Sequence, residues 1–238
     1  MILSLNIHLP SLGIGAGAAI AVVTAIFLFY GHSFMIESSS LGTAQSMQNA
    51  TQKVGPDIIT GNTSPVLGST SAPITMIEFG DYQCFYCNNF FHNTEAGIVE
   101  NYIDTGKVKM YFKDFTIIGQ DSVTAANAAH CAQDQGKFWQ YHDMLYTNWG
   151  GENTGWASST NLLQFAKQLG LNQSQFSQCM TQAKYITAIQ ASVSDANNLG
   201  LTGTPDFFII GPDNSVTKVV GAQPYSVFDE IFKSKLQS

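Results

Sequence analysis

Two cysteines stand three positions apart in Cys84-Phe85-Tyr86-Cys87. If the segment opens a helix, that spacing brings the sulfurs within bonding reach, as dithiol–disulfide exchange requires. Four cysteines make six pairs, so one such spacing arises by chance in about 5% of comparable chains. The surrounding sequence adds weight. Ile74 to Phe79, ITMIEF, is short, apolar and β-branched, and reads as a buried strand closed by Gly80-Asp81. From about Phe85 to Asp104 the pattern turns helical, with Phe90, Phe91, Ile98 and Ile103 apolar, and Thr105-Gly106 ends it. Cys84 then lies where strand gives way to helix. Free backbone N–H groups and the positive helix end there favour a thiolate. Cys87, one turn further in, can attack a mixed disulfide formed at Cys84. A purely structural bridge and half of a zinc site are the other readings. Zinc asks for a second close pair of ligands, whereas Cys131 and Cys179 lie far apart and neither is in a CxxC.

The elements that must hold this pair are legible from pattern. Lys107 to Lys113 alternates: Val108, Met110 and Phe112 face one way, Lys107, Lys109, Tyr111 and Lys113 the other, a half-exposed strand. Strand, helix and strand predict one parallel βαβ unit. Residues 121 to 200 read as helices throughout. Asp206 to Ile210 and Val216 to Val220 flank the turn Gly211-Pro212-Asp213-Asn214 and predict a hairpin. Ser226 with Asp229 predicts a capping-box start for a last helix carrying Phe228, Ile231, Phe232 and Leu236.

The chain of 238 residues carries ten basic side chains, all Lys, against 17 acidic ones, a net charge of −7. With that charge and no Arg to read phosphates, the composition argues against nucleic-acid binding. A hydrophobic content of 45% excludes wholesale disorder. Leu12 to Tyr30 has no charged residue and as a helix would span about 28 Å, close to a bilayer core. Residues 1–36 therefore read as a membrane anchor or a signal segment. The absence of Lys and Arg from Met1 to Ser11 favours a retained anchor, while Leu41-Gly42-Thr43-Ala44 offers small residues for cleavage. Either reading exports the chain beyond residue 36. Residues 37–57 are polar and without apolar period, a flexible tether to a domain at 58–238.

Three segments, EFGDYQCFYC (Glu78 to Cys87), QGKFWQYHDMLY (Gln135 to Tyr146) and TGTPDFFI (Thr202 to Ile209), resemble the DsbA-like branch of the thioredoxin superfamily. The resemblance runs collinearly from about Pro65 to Leu236. It implies an α/β thioredoxin fold with an inserted all-helical subdomain, about 115–183, here preceded by one N-terminal transmembrane helix. It implies Cys84 as attacking thiol, Cys87 as resolving thiol and Pro205 as a cis-proline beside the sulfurs. Thr204 would bring its hydroxyl to them, and the backbone before Pro205 would pair with substrate. Glu78 matches a buried acid that relays a proton for the resolving cysteine. A carboxyl in an apolar strand has the raised pKa that this needs, although an edge-of-strand glutamate reaching water fits the same residue. Phe85, Tyr86 and Gly203 become substrate-contacting positions, with Phe85 alternatively packing on the domain. Strongly oxidising members usually carry Pro-His between the cysteines; Phe85-Tyr86 offers no cation, so a milder oxidant or an isomerase is expected.

Cys131 and Cys179 fall on helices of the insertion, and the resemblance implies a structural disulfide between them. Two free buried thiols, or a redox or soft-metal site with His130 and Met180, are the alternatives. His92 and His142 have no partner visible in sequence. The function expected is a membrane-tethered extracytoplasmic thiol–disulfide oxidoreductase with no cofactor and no resident metal. It would act on exported proteins and be reoxidised by a membrane partner of the DsbB or vitamin-K-epoxide-reductase type. An isomerase or reductase of the same fold is the alternative, as is a non-catalytic protein- or metal-binding module at a membrane surface.

Overall fold

The computed structural model describes residues 56–237. The expected anchor at 1–36 and nearly all of the tether at 37–57 lie outside the described residues. A short helix α1 (Pro56–Thr60) takes in the tether's last two positions. Among the described residues no helix is long and apolar enough to cross a membrane.

Four strands form one sheet in the order β2-β1-β3-β4. Strand β1 (Ile74–Gly80) pairs parallel with β2 (Val108–Asp114) and antiparallel with β3 (Asp206–Ile210), and β3 pairs antiparallel with β4 (Val216–Val220). Central β1 is covered on both faces, which is why it reads as a continuous apolar run. Ile74 and Met76 join Val108, Met110, Phe207, Ile209, Phe228 and Phe232 on one face. Ile77 and Phe79 join Phe208, Ala196 and Leu201 on the other.

After β1 comes α2 (Phe85–Phe90), then a π-helical stretch Phe91–Glu95, a single α turn α3 (Ala96–Ile98) and a second π stretch Val99–Ile103. The pattern predicted one regular helix here. Phe90 packs between Phe207 and Phe228, while Phe91 lies against Tyr146. A 3.6-residue period carries no signal of a π turn.

Between β2 and β3 run α4 (Gln120–Gln133), α5 (Phe138–Thr147), α6 (Ser159–Gln168), α7 (Gln173–Thr181) and α8 (Ile186–Asn198). The first four pack around Tyr141, Leu145, Leu162, Phe176 and the pair Cys131 and Cys179, in a core that also takes in Tyr82, Cys84, Cys87 and Phe112. The last helix, α9 (Tyr225–Lys235), starts after Pro224 and has no side-chain cap, so the expected Ser226–Asp229 box does not form. Asp229 instead accepts hydrogen bonds from the Tyr102 hydroxyl and from Lys233 Nζ.

Lys113 departs from the expected half-exposed face of β2: it is fully buried. Its ammonium reaches Asp195 Oδ2 at 2.8 Å and donates to the carbonyls of Ile58 and Gly61. These partners, in and just after α1 and on α8, compensate a charge that alternation alone had assigned to solvent.

Candidate active site

Strand β1 ends in Gly80, and a short turn delivers Cys84 as the N-cap of α2 in extended backbone conformation. The turn is built on buried polar contacts. Asp81 Oδ1 accepts from the N–H of Gln83, and its Oδ2 accepts from the N–H groups of Ile117 and Ile118. The buried Gln83 amide donates to Ser122 Oγ and accepts from the Asn153 N–H, while the Gln83 carbonyl accepts from Trp149 Nε1 at 2.8 Å. Gly80 is required by close approach, since a Cβ there would lie 2.4 Å from the Phe112 ring. Sequence reasoning missed Asp81 and Gln83 as positioning groups. Their only signal was membership of the EFGDYQCFYC run.

The two thiols are unequal. Cys84 Sγ donates to the Thr204 carbonyl at 3.3 Å. Its pKa is lowered to about 6 by the hydrogen bond from the Cys87 thiol, with help from the Thr204 hydroxyl and the N–H groups of Cys87 and Tyr86 outweighing its burial. Cys87 is completely buried, and burial together with the hydrogen bond to Cys84 holds its pKa well above the usual thiol range. The N–H of Phe85 is taken at 3.0 Å by Glu152 Oε1, a contact between α2 and the 150–155 loop that sequence could not foresee. The donors that stabilise the thiolate are the Cys87 thiol, the Thr204 hydroxyl and backbone N–H groups.

Thr204–Pro205 is a cis peptide bond. The Thr204 carbonyl lies on Cys84, and the buried Thr204 hydroxyl serves the same sulfur. Gly203, Thr204 and Pro205 line a cleft of about 260 Å³ that continues to Val220 and Gly221. Phe85 and Tyr86 stand 53% and 61% exposed beside Cys84. Phe85 rests one side on Trp149, ring centroids 5.9 Å apart, so it both packs on the domain and faces outward. The result is an apolar lip next to an extended backbone edge, suited to an unfolded chain.

Glu78 is fully buried in β1, between Phe112 and Phe207 of the neighbouring strands, and among the described residues neither carboxylate oxygen has a hydrogen-bond partner. Burial above all, then the charges of Glu95 and Cys84, hold its pKa well above the carboxylate range. A neutral acid there can trade a proton near neutrality. Its charge is felt at Cys87, so the acid and the deeper thiol are electrostatically linked.

The insertion's cysteines are joined: Cys131 on α4 and Cys179 on α7 form a disulfide with Cα atoms 5.7 Å apart. The soft-metal set is not assembled. His130 is held by Asp114 at 2.7 Å and Gln133 at 2.9 Å, and the Met180 sulfur accepts from Asn127.

The low thiol pKa has a direct consequence. Alkylation of Cys84 by iodoacetamide in the reduced protein rises with thiolate, reaching half its maximum near pH 6, where a free thiol would need about pH 8.5. Stability carries the same sign. A depressed native pKa favours the folded dithiol above the unfolded thiol pKa, and that advantage is lost as pH falls through about 6. Cys87, shifted the other way, acts only above the ordinary thiol range, so the interval between belongs to Cys84. A half-point near pH 8.5 would show that the sulfur contacts do not stabilise the thiolate.

A βαβ unit and a β hairpin in one sheet, a strand-to-helix dithiol and a cis-proline facing it define a thiol–disulfide oxidoreductase. The chain belongs to the thioredoxin family, whose sequence pattern matches residues 60–218, and within it to the DsbA-like branch. It is 30% identical over 176 residues to the "Probable disulfide bond formation protein D" of Bacillus cereus, covering 72% of this chain and 82% of that one. Wolbachia pipientis alpha-DsbA1 is 29% identical and superposes with a TM-score of 0.64, covering 74% of this chain and 91% of that one. The fold also matches oxidised BdbD of Bacillus subtilis, TM-score 0.66 at 24% identity, over 74% of this chain and 94% of that one.

Proposed function

We propose that this oxidoreductase works outside the cytoplasm, tethered to the membrane, giving disulfides to exported proteins. Residues 1–36 serve as anchor, 37–57 as tether and 58–238 as the catalytic domain. The observation that carries the redox direction is the asymmetry of the dithiol. The outer thiol is stabilised as a thiolate at about pH 6, the inner one is buried and proton-retaining. Stabilising the reduced form makes the disulfide the better oxidant.

In the donating direction a substrate thiolate attacks Cys84 Sγ of the Cys84–Cys87 disulfide. The S–S bond breaks, its electron pair leaves on Cys87, and Cys87 takes up a proton with Glu78 as the donor. A second substrate thiolate attacks the substrate sulfur of the mixed disulfide and expels the Cys84 thiolate. Two electrons have then passed from substrate dithiol to enzyme. In reverse, Cys84 thiolate opens a substrate disulfide and Cys87 resolves it. Phe85, Tyr86 and Gly203 contact the substrate chain, and Thr204 and Pro205 align it on the sulfurs. The dithiol must be reoxidised, and a membrane partner of the DsbB or vitamin-K-epoxide-reductase type supplies that chemistry. Tethering raises its effective concentration.

The test is the reduction potential of the Cys84–Cys87 pair in the full-length protein, equilibrated in glutathione buffers with thiols counted by mass after alkylation. A thiol pKa of about 6 lies between thioredoxin's, about 7, and DsbA's, about 3.5. The potential expected is therefore roughly −200 mV, above thioredoxin's −270 mV and below DsbA's −120 mV. A value at or below about −270 mV overturns the donating reading in favour of a reductase.

A further inference from the structure

We propose that Glu95, His142 and Asp143 form a binding site for one divalent transition-metal ion of the zinc class, on the side of the fold where the first π-helical stretch meets α5. One ligand atom from each residue lies within 4.8 Å of the others. Glu95 ends the π stretch Phe91–Glu95, and His142 and Asp143 are consecutive on α5.

Two buried atoms in this cluster lack partners among the described residues. His142 is fully buried and its Nε2 makes no hydrogen bond; Glu95 is 5% exposed and its Oε2 makes none. The two side chains face one another with Nε2 and Oε1 3.9 Å apart, too far for a hydrogen bond. A plain Glu–His ion pair would close this gap, because each buried orphan costs about 1–3 kcal/mol. An ion seated between them satisfies both. The other ring nitrogen, Nδ1, is held 3.1 Å from the Tyr82 hydroxyl, which fixes the ring as second partners of metal-bound histidines do.

The approach has the right charge. A cleft of about 430 Å³ reaches Glu95 and Asp143 of the cluster, is lined also by Glu100, Asp104 and His92, and has no Lys in its lining. The chain has no Arg to neutralise it. Phe91 and Trp139 form its apolar wall. One imidazole and two carboxylates suit zinc, cobalt, nickel or manganese. The absence of thiolate disfavours copper(I), and the imidazole disfavours calcium and magnesium. Tetrahedral coordination at about 2.1 Å would set ligand atoms about 3.4 Å apart, so small side-chain rotations complete the shell and leave one position open to the cleft.

The experiment titrates metal-stripped full-length protein with cobalt(II) and with zinc(II). The Cys84–Cys87 pair is kept oxidised so that no thiolate competes, which makes the outcome independent of the redox reading. One equivalent of cobalt is expected to bind with visible d–d absorption and without a thiolate charge-transfer band. Asp143→Asn, at an exposed position, and Glu95→Gln should each weaken affinity by about tenfold or more, since loss of even an outer partner costs about that much. Asp143→Asn should leave the melting temperature of the metal-free protein unchanged. Failure to take up one equivalent, an affinity unmoved by both variants, or a thiolate band overturns the proposal.

Discussion

Cys84→Ser leaves no measurable exchange, a loss of at least about 10³-fold, whereas Cys87→Ser still enters the reaction and stalls at the mixed disulfide. The difference comes from where the two sulfurs sit. Cys84 keeps 4% of its surface open, between the exposed Phe85 and Tyr86 and the cis-proline loop; Cys87 keeps none. An incoming sulfur therefore meets Cys84 alone. A serine hydroxyl there does not ionise near neutrality and cannot form or accept the S–S bond, so the contacts that lower the thiol pKa have nothing to stabilise. With Ser at 87 the first bond still forms at Cys84, but the intramolecular thiol that would release the substrate is gone. Disulfide reduction of insulin, tracked by turbidity, measures the first effect. Non-reducing gels and intact mass measure the second, as a covalent adduct that reductant dissolves. Full turnover by Cys87→Ser, or residual turnover by Cys84→Ser, would remove the asymmetry from the mechanism.

The legible and illegible parts of this molecule divide along the range of the interactions. Strands β1, β3 and β4 were legible because each is a short apolar or β-branched run bounded by Gly, Pro, Asp or Asn, and those signals are local. The dithiol was legible from spacing and from its place between a strand and a helix. Glu78 stood out as an acid in an apolar run, and its complete burial agrees with that reading rather than with an edge position. Lys113 was not legible. Its position in an alternating strand pointed to water, and its partners Asp195 and Ile58 are 82 and 55 residues away. The same holds for His142, whose contact with Tyr82 spans 60 residues, and for Glu152, which reaches the Phe85 N–H from 67 residues away. The π turns escaped because Phe90 and Phe91 both read as apolar positions of one helix, although they belong to different cores. The active-site residues could thus be named from sequence. The groups that hold them could not, because most of their contacts, such as Gln83 with Ser122 and Glu152 with Phe85, join distant segments.

The second large effect is on stability. Replacing both Cys131 and Cys179 by Ala is expected to cost about 4 kcal/mol, the chain-entropy value for a cross-link across a separation of 48 residues. For a domain of this size each kcal/mol shifts the melting temperature by about 2–4 °C, so a fall of about 8–16 °C is expected. The location makes a near-full effect reasonable. The bridge joins α4 to α7, both cysteines are buried, and the insertion's remaining core, including Tyr141 with its ring 5.4 Å from that of Phe176 and its hydroxyl donating to the Leu162 carbonyl, packs around it. The double variant is the informative one. A single replacement leaves a thiol that could exchange with the Cys84–Cys87 disulfide and confuse stability with chemistry. Melting of the full-length double variant and of the unaltered protein, both without reductant, measures the shift. Alkylation of reduced Cys84 near pH 6 should be unchanged, since none of the groups that lower its pKa lies on α4 or α7. A melting shift below about 3 °C would mean that packing alone holds the insertion together and that the bridge adds little. A large shift with altered Cys84 reactivity would mean that the insertion reaches the catalytic thiol through the Gln83–Ser122 contact at the start of α4.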